Sequence, residues 1–178
     1  MAKERDYRFY LTTPYETGIR NFSSVAKYYL YYAPEIDSAQ SLGKFNEQQA
    51  DQALNNMLDA SGLSKKAHFL KRIQSKSWNK YGLDSNVIDF ECSRLLCNKF
   101  NNETNLHALL RHIRNALAHG YLYVYRKKGT SDFILLIDFD SKKKTSNGEK
   151  IITAKILVSM KILEDWKAKL ENQIALGE

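Results

Sequence analysis

The 178-residue sequence predicts a mainly α, α+β fold: a helical bundle with a small antiparallel β-meander and a C-terminal helix. Three observations lead there. Apolar residues recur at helical spacing up to Gly120, the period changes to two beyond it, and helical spacing returns from Ser159. No Pro/Gly/Ser-rich linker interrupts the chain. A single domain over residues 1–178 is expected, with its helical part at about 13–120, strands at about 121–158 and the last helix at about 159–174.

Thr13, Pro14 and Glu16 give an N-cap, a first-turn proline and a capping-box partner. Ile19, Phe22, Val25, Tyr29 and Tyr32 then continue a helix until Pro34. Its aromatic run, Tyr28, Tyr29, Tyr31 and Tyr32, suits core or dimer contact better than base stacking. A second helix runs from near Asn46 to Ala60 on Ala50, Leu54, Met57 and Leu58, with Gly62 just past its end. Ser64 caps a third, basic helix ending near Gly82. Its Lys65, Lys66, Lys71, Arg72, Lys76 and Lys80 form either a solvated face or one that meets phosphates. Asp84 opens a fourth helix through Val87, Ile88, Cys92, Leu95 and Leu96. The fifth starts near Thr104, places Leu106, Leu109, Leu110, Ile113, Ala116 and Leu117 in one apolar arc, and is capped by Gly120.

Past Gly120, Tyr121, Tyr123 and Tyr125 alternate with Leu122 and Val124; Phe133–Phe139 is apolar and β-rich, and Lys150–Val158 is rich in Ile, Thr and Val. Gly129 and Asn147-Gly148 supply the turns of a meander, and Lys142, Lys143 and Lys144 fall in a loop. The last helix, about Ser159–Ile174, carries Ile162, Leu163, Trp166, Leu170 and Ile174 on one side.

The chain has 27 Lys+Arg against 20 Asp+Glu, a formal net charge of +7, which favours a polyanionic partner without choosing one. Disordered and collagen-like classes are excluded by 43% hydrophobic residues with only two prolines and eight glycines. Cys92 and Cys97, five apart on the expected fourth helix, point to different sides of it and read as reduced thiols. Lys3, Glu4, Arg5 and Asp6 leave no apolar run for a secretory signal, and no stretch reaches the roughly 18 apolar residues of a membrane span. A cytoplasmic protein with no membrane partner is expected.

There is no Gly-rich phosphate loop, nucleophile elbow or His-Glu-x-x-His pattern. Asp138 and Asp140, on one face of a strand, read as a solvated edge and not as the carboxylates of a metal-dependent nuclease, so no metal site is expected. The polar side of the fifth helix is richer: His107, Arg111, His112, Arg114, Asn115 and His119 gather phosphate-binding and proton-transferring groups there. Arg114 and His119 stand about 140° apart on an ideal helix, with Asn115 one turn before His119, so they flank a polar groove. His119 comes in the last turn, where the helix dipole favours positive charge. His107 and His112 are expected to be exposed, with His112 one turn before Asn115 on the same side, and Arg111 is either a second phosphate contact or a solvated helix residue.

The segment resembles the HEPN family (higher eukaryotes and prokaryotes nucleotide-binding), helical domains marked by an Arg, four to six residues and a His, with a polar residue after the Arg. Arg114, Asn115 and His119 match that pattern, and His119-Gly120-Tyr121 matches the His-x-Tyr extension of the branch paired with nucleotidyltransferase antitoxins. The strands after Tyr121 look like an elaboration found in plasmid-borne and phage-defence members. The resemblance implies a cofactor-free, metal-independent endoribonuclease of toxin–antitoxin or anti-phage type, working on RNA at the cleft of a homodimer. Arg114, Asn115 and His119 are then catalytic, and Arg111, His112 and Tyr121 contact RNA. Tyr121 is either a strand aromatic or the residue that accepts adenylyl groups from a nucleotidyltransferase-type antitoxin. The alternative is a non-catalytic HEPN module that binds RNA or nucleotide or serves as a dimerisation unit. A DNA-binding regulator is disfavoured, since no helix pair shows helix-turn-helix spacing.

Overall fold

The computed structural model describes residues 19–33, 47–84, 88–125 and 132–175. Helix α1 (Phe22–Lys27) passes directly into a π-helical turn, Tyr28–Tyr32. The i→i+5 closure, from the Ala33 N–H to the Tyr28 carbonyl at 2.7 Å, widens the turn and shifts its phase. Tyr28 therefore joins Phe22, Val25 and Tyr29 in the core, while Tyr32, expected in that stripe, is 62% exposed. Helix α2 (Glu47–Ala60) buries the expected Ala50, Leu54, Met57 and Leu58.

The next segment departs from expectation. Where a basic third helix was predicted stand a strand, β1 (Ala67–Leu70), and a six-residue helix, α3 (Ser75–Lys80). The predicted fourth helix is replaced by an irregular stretch leading into β2 (Arg94–Asn98). Strands β1 and β2 pair in parallel, from Ala67 opposite Leu95 to Leu70 opposite Asn98, with α3 in the crossover. Then follow α4 (Asn105–Ala118), β3 (Leu122–Tyr125), β4 (Phe133–Lys144), β5 (Lys150–Ser159) and α5 (Met160–Ala175), close to the predicted bounds. Lys142–Lys144 extend β4 instead of lying in a loop. The Thr13–Glu16 cap, Pro34, Asn46, Val87 and Gly129 fall outside the described residues.

The strands form one mixed sheet, in the order β1-β2-β5-β4-β3. The architecture is therefore mixed α/β, five α-helices and a five-stranded sheet with a parallel pair among the described residues, and not a helical bundle with a small meander. The reason for the difference lies in β2. It is an inner strand covered on both faces: Leu95 and Cys97 pack towards α1, α2, α4 and α5, while Leu96 packs on the opposite side. A strand buried on both faces loses its polar alternation and, at five residues, looks like a turn of buried helix.

The sheet thus separates two cores. The larger lies under the helices and includes Leu109, Ile113, Leu136, Ile156 and Trp166. The indole N–H of Trp166 ties α5 to α2 by donating to the Met57 carbonyl at 3.1 Å. The smaller core joins Leu83, Ile88, Phe90, Leu96, Leu135 and Leu157, with Trp78 of α3 against it. Cys92 lies in the irregular stretch and Cys97 on β2, so the two free thiols do not share a helix as predicted. No helix among the described residues is long and apolar enough to cross a membrane.

Candidate active site at the end of the fourth helix

Helix α4 starts where its sequence says it should: the Thr104 side chain accepts the His107 N–H at 3.2 Å, an N-cap bond. It stops in a Schellman arrangement. The Tyr121 N–H donates to the Ala116 carbonyl at 2.9 Å and the Gly120 N–H to the Leu117 carbonyl at 3.2 Å, with Gly120 at φ +69°. His119 is the exposed C-cap residue, its N–H bonded to the Asn115 carbonyl at 3.0 Å. Tyr121 then enters the sheet, where its carbonyl accepts the Ile137 N–H at 2.9 Å.

Beneath this helix end lies a buried polar hub. His112 is 0% exposed; its Nδ1 is 2.6 Å from Asp138 Oδ2 and its Nε2 is 2.8 Å from the Asn98 carbonyl. A carbonyl only accepts, so Nε2 is the donor on that side, and Nδ1 faces the carboxylate. Asp138 Oδ2 also accepts from Asn115 Nδ2 at 3.2 Å and Thr153 Oγ1 at 3.4 Å, and Oδ1 accepts the Phe139 N–H at 2.8 Å.

Three expectations are corrected here. His112 is neither exposed nor placed to contact RNA, because both of its ring nitrogens are engaged in the interior. Asp138 is not a solvated edge residue, because β4 is an inner strand and α4 covers this face. A sequence signal existed for it: Ile134, Leu136 and Asp138 are spaced by two, and the first two are core. His107 is also buried, contrary to expectation, and burial pushes its imidazole below the ordinary range against the opposing pull of Glu103.

Arg111 presents a fork to Glu103, with Nε to Oε1 at 2.7 Å and Nη2 to Oε2 at 2.9 Å, and lies over the Phe100 ring at 4.4 Å. A phosphate at Arg111 would have to displace that carboxylate. Burial raises Glu103, but hydrogen bonds from the Arg111 side chain and the Phe100 N–H, with the Arg111 and His112 charges, bring its net position below the ordinary carboxylate range. Arg114 is half-buried, on the residue before Asn115.

Outside the hub, sequence reasoning missed Phe139 and Lys150. The Tyr121 ring packs edge-on to Phe139 at 4.7 Å and lies 6.1 Å from the His119 ring. Lys150 donates from Nζ to the Tyr121 hydroxyl and lies 4.9 Å from the centre of its ring. A half-buried aromatic pair with an exposed cation thus adjoins His119. No group of three or more His, Cys, Asp or Glu residues is arranged to hold a metal ion among the described residues.

The family model for HEPN pEK499 p136 matches residues 22–174. The chain belongs to this plasmid-borne HEPN family. No curated protein and no solved structure gives a significant match. For this HEPN chain the matched span takes in all five described strands, so the sheet lies within the family unit. Its Arg114, Asn115 and His119 occupy the last turn and cap of one helix, with Asn115 tied to the hub below and His119 at the surface above.

Proposed function

We propose that this HEPN protein is a metal-independent endoribonuclease of toxin–antitoxin or anti-phage defence type, acting at a composite site across a homodimer. The observation that carries this reading is the exposed His119 at the end of α4, one turn beyond an Asn115 whose amide is fixed by the buried Asp138. RNA cleavage through its own 2′-hydroxyl needs a base, an acid and positive charge at the phosphorane. His119 of one subunit takes the 2′-hydroxyl proton, O2′ attacks phosphorus, and the P–O5′ bond breaks as the partner subunit's His119 protonates O5′. The products are a 2′,3′-cyclic phosphate and a 5′-hydroxyl. Arg114 clamps the phosphate oxygens with paired donors. Asn115, its amide held by Asp138, fixes the last turn of the helix on whose end His119 stands. Tyr121, with Phe139 and Lys150, contacts the RNA strand beside the scissile phosphate, and its hydroxyl is where a nucleotidyltransferase-type antitoxin would act.

The test is cleavage of single-stranded RNA in EDTA with end-group analysis, alongside the oligomeric mass. His119→Ala and Arg114→Ala proteins should fold and dimerise as the parent does but cut about 100-fold to 10,000-fold more slowly. Binding of RNA without turnover by the parent would favour the non-catalytic module instead. Equal cutting by the variants would overturn the site.

A further inference from the structure

The basic segment predicted as one helical face is redistributed by the fold. Lys65, Lys66 and Lys80 converge with Arg94 around a cleft of about 380 Å³, lined also by His68, Asn79, Tyr81 and Gly82. The cleft sits at the β1 edge of the sheet. Ala67, Phe69, Leu95 and Cys97 pack into the helical core, so by strand alternation His68 and Arg94 belong to the opposite face from α4. It is therefore a different place from the Arg114–His119 site.

Two features make it a built recess. Arg94 is held against backbone, with Nε donating to the Cys92 carbonyl at 3.1 Å and Nη1 to the Gly82 carbonyl at 3.3 Å. Gly82 permits this: a Cβ there would stand 2.0 Å from Arg94 Nη1. The second feature is a tilted aromatic pair, His68 against Tyr81 with ring centres 4.1 Å apart and planes at 35°. Burial and the nearby Lys80 push the His68 imidazole down, which favours a neutral ring for stacking. Lys80 lies 5.2 Å over the Tyr81 ring, and Lys66 Nζ approaches Cys92 Sγ at 3.6 Å.

Four lysine and arginine side chains thus face one concavity, and none of the described residues lining it is acidic. Like charges around a recess repel one another and focus a field that an anion relieves. The volume falls in the range of small-ligand sites, of the order of 300–1,000 Å³. We propose that this cleft binds a nucleotide, with its phosphate among Lys65, Lys66, Lys80 and Arg94 and its base against His68 and Tyr81. The nucleotide is either free or the 5′-phosphorylated end of an RNA strand, and the chemistry of recognition is the same.

Calorimetric titration of the full chain at low salt tests this, using AMP, adenosine, inorganic phosphate and a 5′-phosphorylated tetra-adenylate as probes. AMP should bind, with adenosine and phosphate each weaker by about tenfold or more, since each lacks half of the recognition. The Lys66→Gln/Lys80→Gln protein, altered only at exposed positions, should lose about tenfold in AMP affinity. Gly82→Ala should do likewise without removing a charge, by displacing Arg94. His119→Ala should retain AMP binding in full. In the His119→Ala protein, tighter binding of the tetra-adenylate than of AMP that is weakened by adding Lys66→Gln/Lys80→Gln would identify the ligand as an RNA end, and equal binding as a free nucleotide. Failure of AMP to bind, phosphate binding as tightly as AMP, or binding lost in His119→Ala but kept in the lysine variant would overturn the proposal.

Discussion

Asp138 concentrates more of the fourth helix's polar chemistry than any residue of the motif itself. Its carboxylate serves His112, Asn115 and Thr153 at once, inside a shell where it is only 3% exposed. Removing one partner of a buried pair strands the other, at a cost of about 3–5 kcal/mol. Asp138→Ala should lower stability by that order in urea titrations, and a double variant with His112→Ala should cost clearly less than the sum of the two. The Glu103–Arg111 pair gives a second expectation, in pH. Because Glu103 titrates below its ordinary value in the folded protein, its contribution is complete above the unfolded carboxylate pKa and is lost as pH falls through the folded one. Stability measured between about pH 5 and pH 3 should fall less steeply in Glu103→Gln than in the parent. At this scale the sequence was informative where chemistry is local: Arg114, Asn115 and His119 stand out through the resemblance of one short segment to the HEPN motif. Asp138, Phe139 and Lys150 do not, because they reach the site from β4 and β5 and only tertiary pairing brings them there.

Among the elements, legibility followed length and one-sidedness. Helices α2, α4 and α5 have long apolar stripes and declared their own bounds. Strands β1 and β2 are four and five residues long, and the parallel pairing that makes them strands joins segments separated by a whole crossover. The lysines before β1 reinforced the wrong reading, since a basic run looks the same on a solvated helix and around a cleft. Tyr32 was misplaced for another reason: a single π-turn resets the phase, and no 3.6-residue template registers that. The end of α4 supplies the prediction at this scale. Gly120 sits at φ +69° with nothing within 4 Å of where a Cβ would be, so Gly120→Ala meets no clash and suffers only the left-handed backbone penalty. A loss of about 1–2 kcal/mol in chemical denaturation is expected. Gly120→Asn should lose less, because Asn tolerates that conformation.

For the molecule as a whole, the sheet changes what the charge of +7 means. The helical-bundle expectation put the polar motif at the end of one helix and the lysines along the face of another. The actual fold has two sides, with the motif helix on one and the lysine-lined cleft on the other. The order of the strands adds a consequence in time. Strand β5 is the last of the described strands yet occupies the middle of the sheet, where among the described residues it alone joins the β1-β2 and β3-β4 pairs. Until residues 150–159 dock, the two halves of the sheet share no strand among the described residues. Assembly therefore depends on long-range closure, and refolding should proceed in roughly milliseconds to seconds, not the microseconds available to a bundle of local helical contacts. Stopped-flow fluorescence would read that directly. The carboxylate that seats Asn115 gains Thr153 only when β5 is docked, so the polar hub is complete only in the closed sheet.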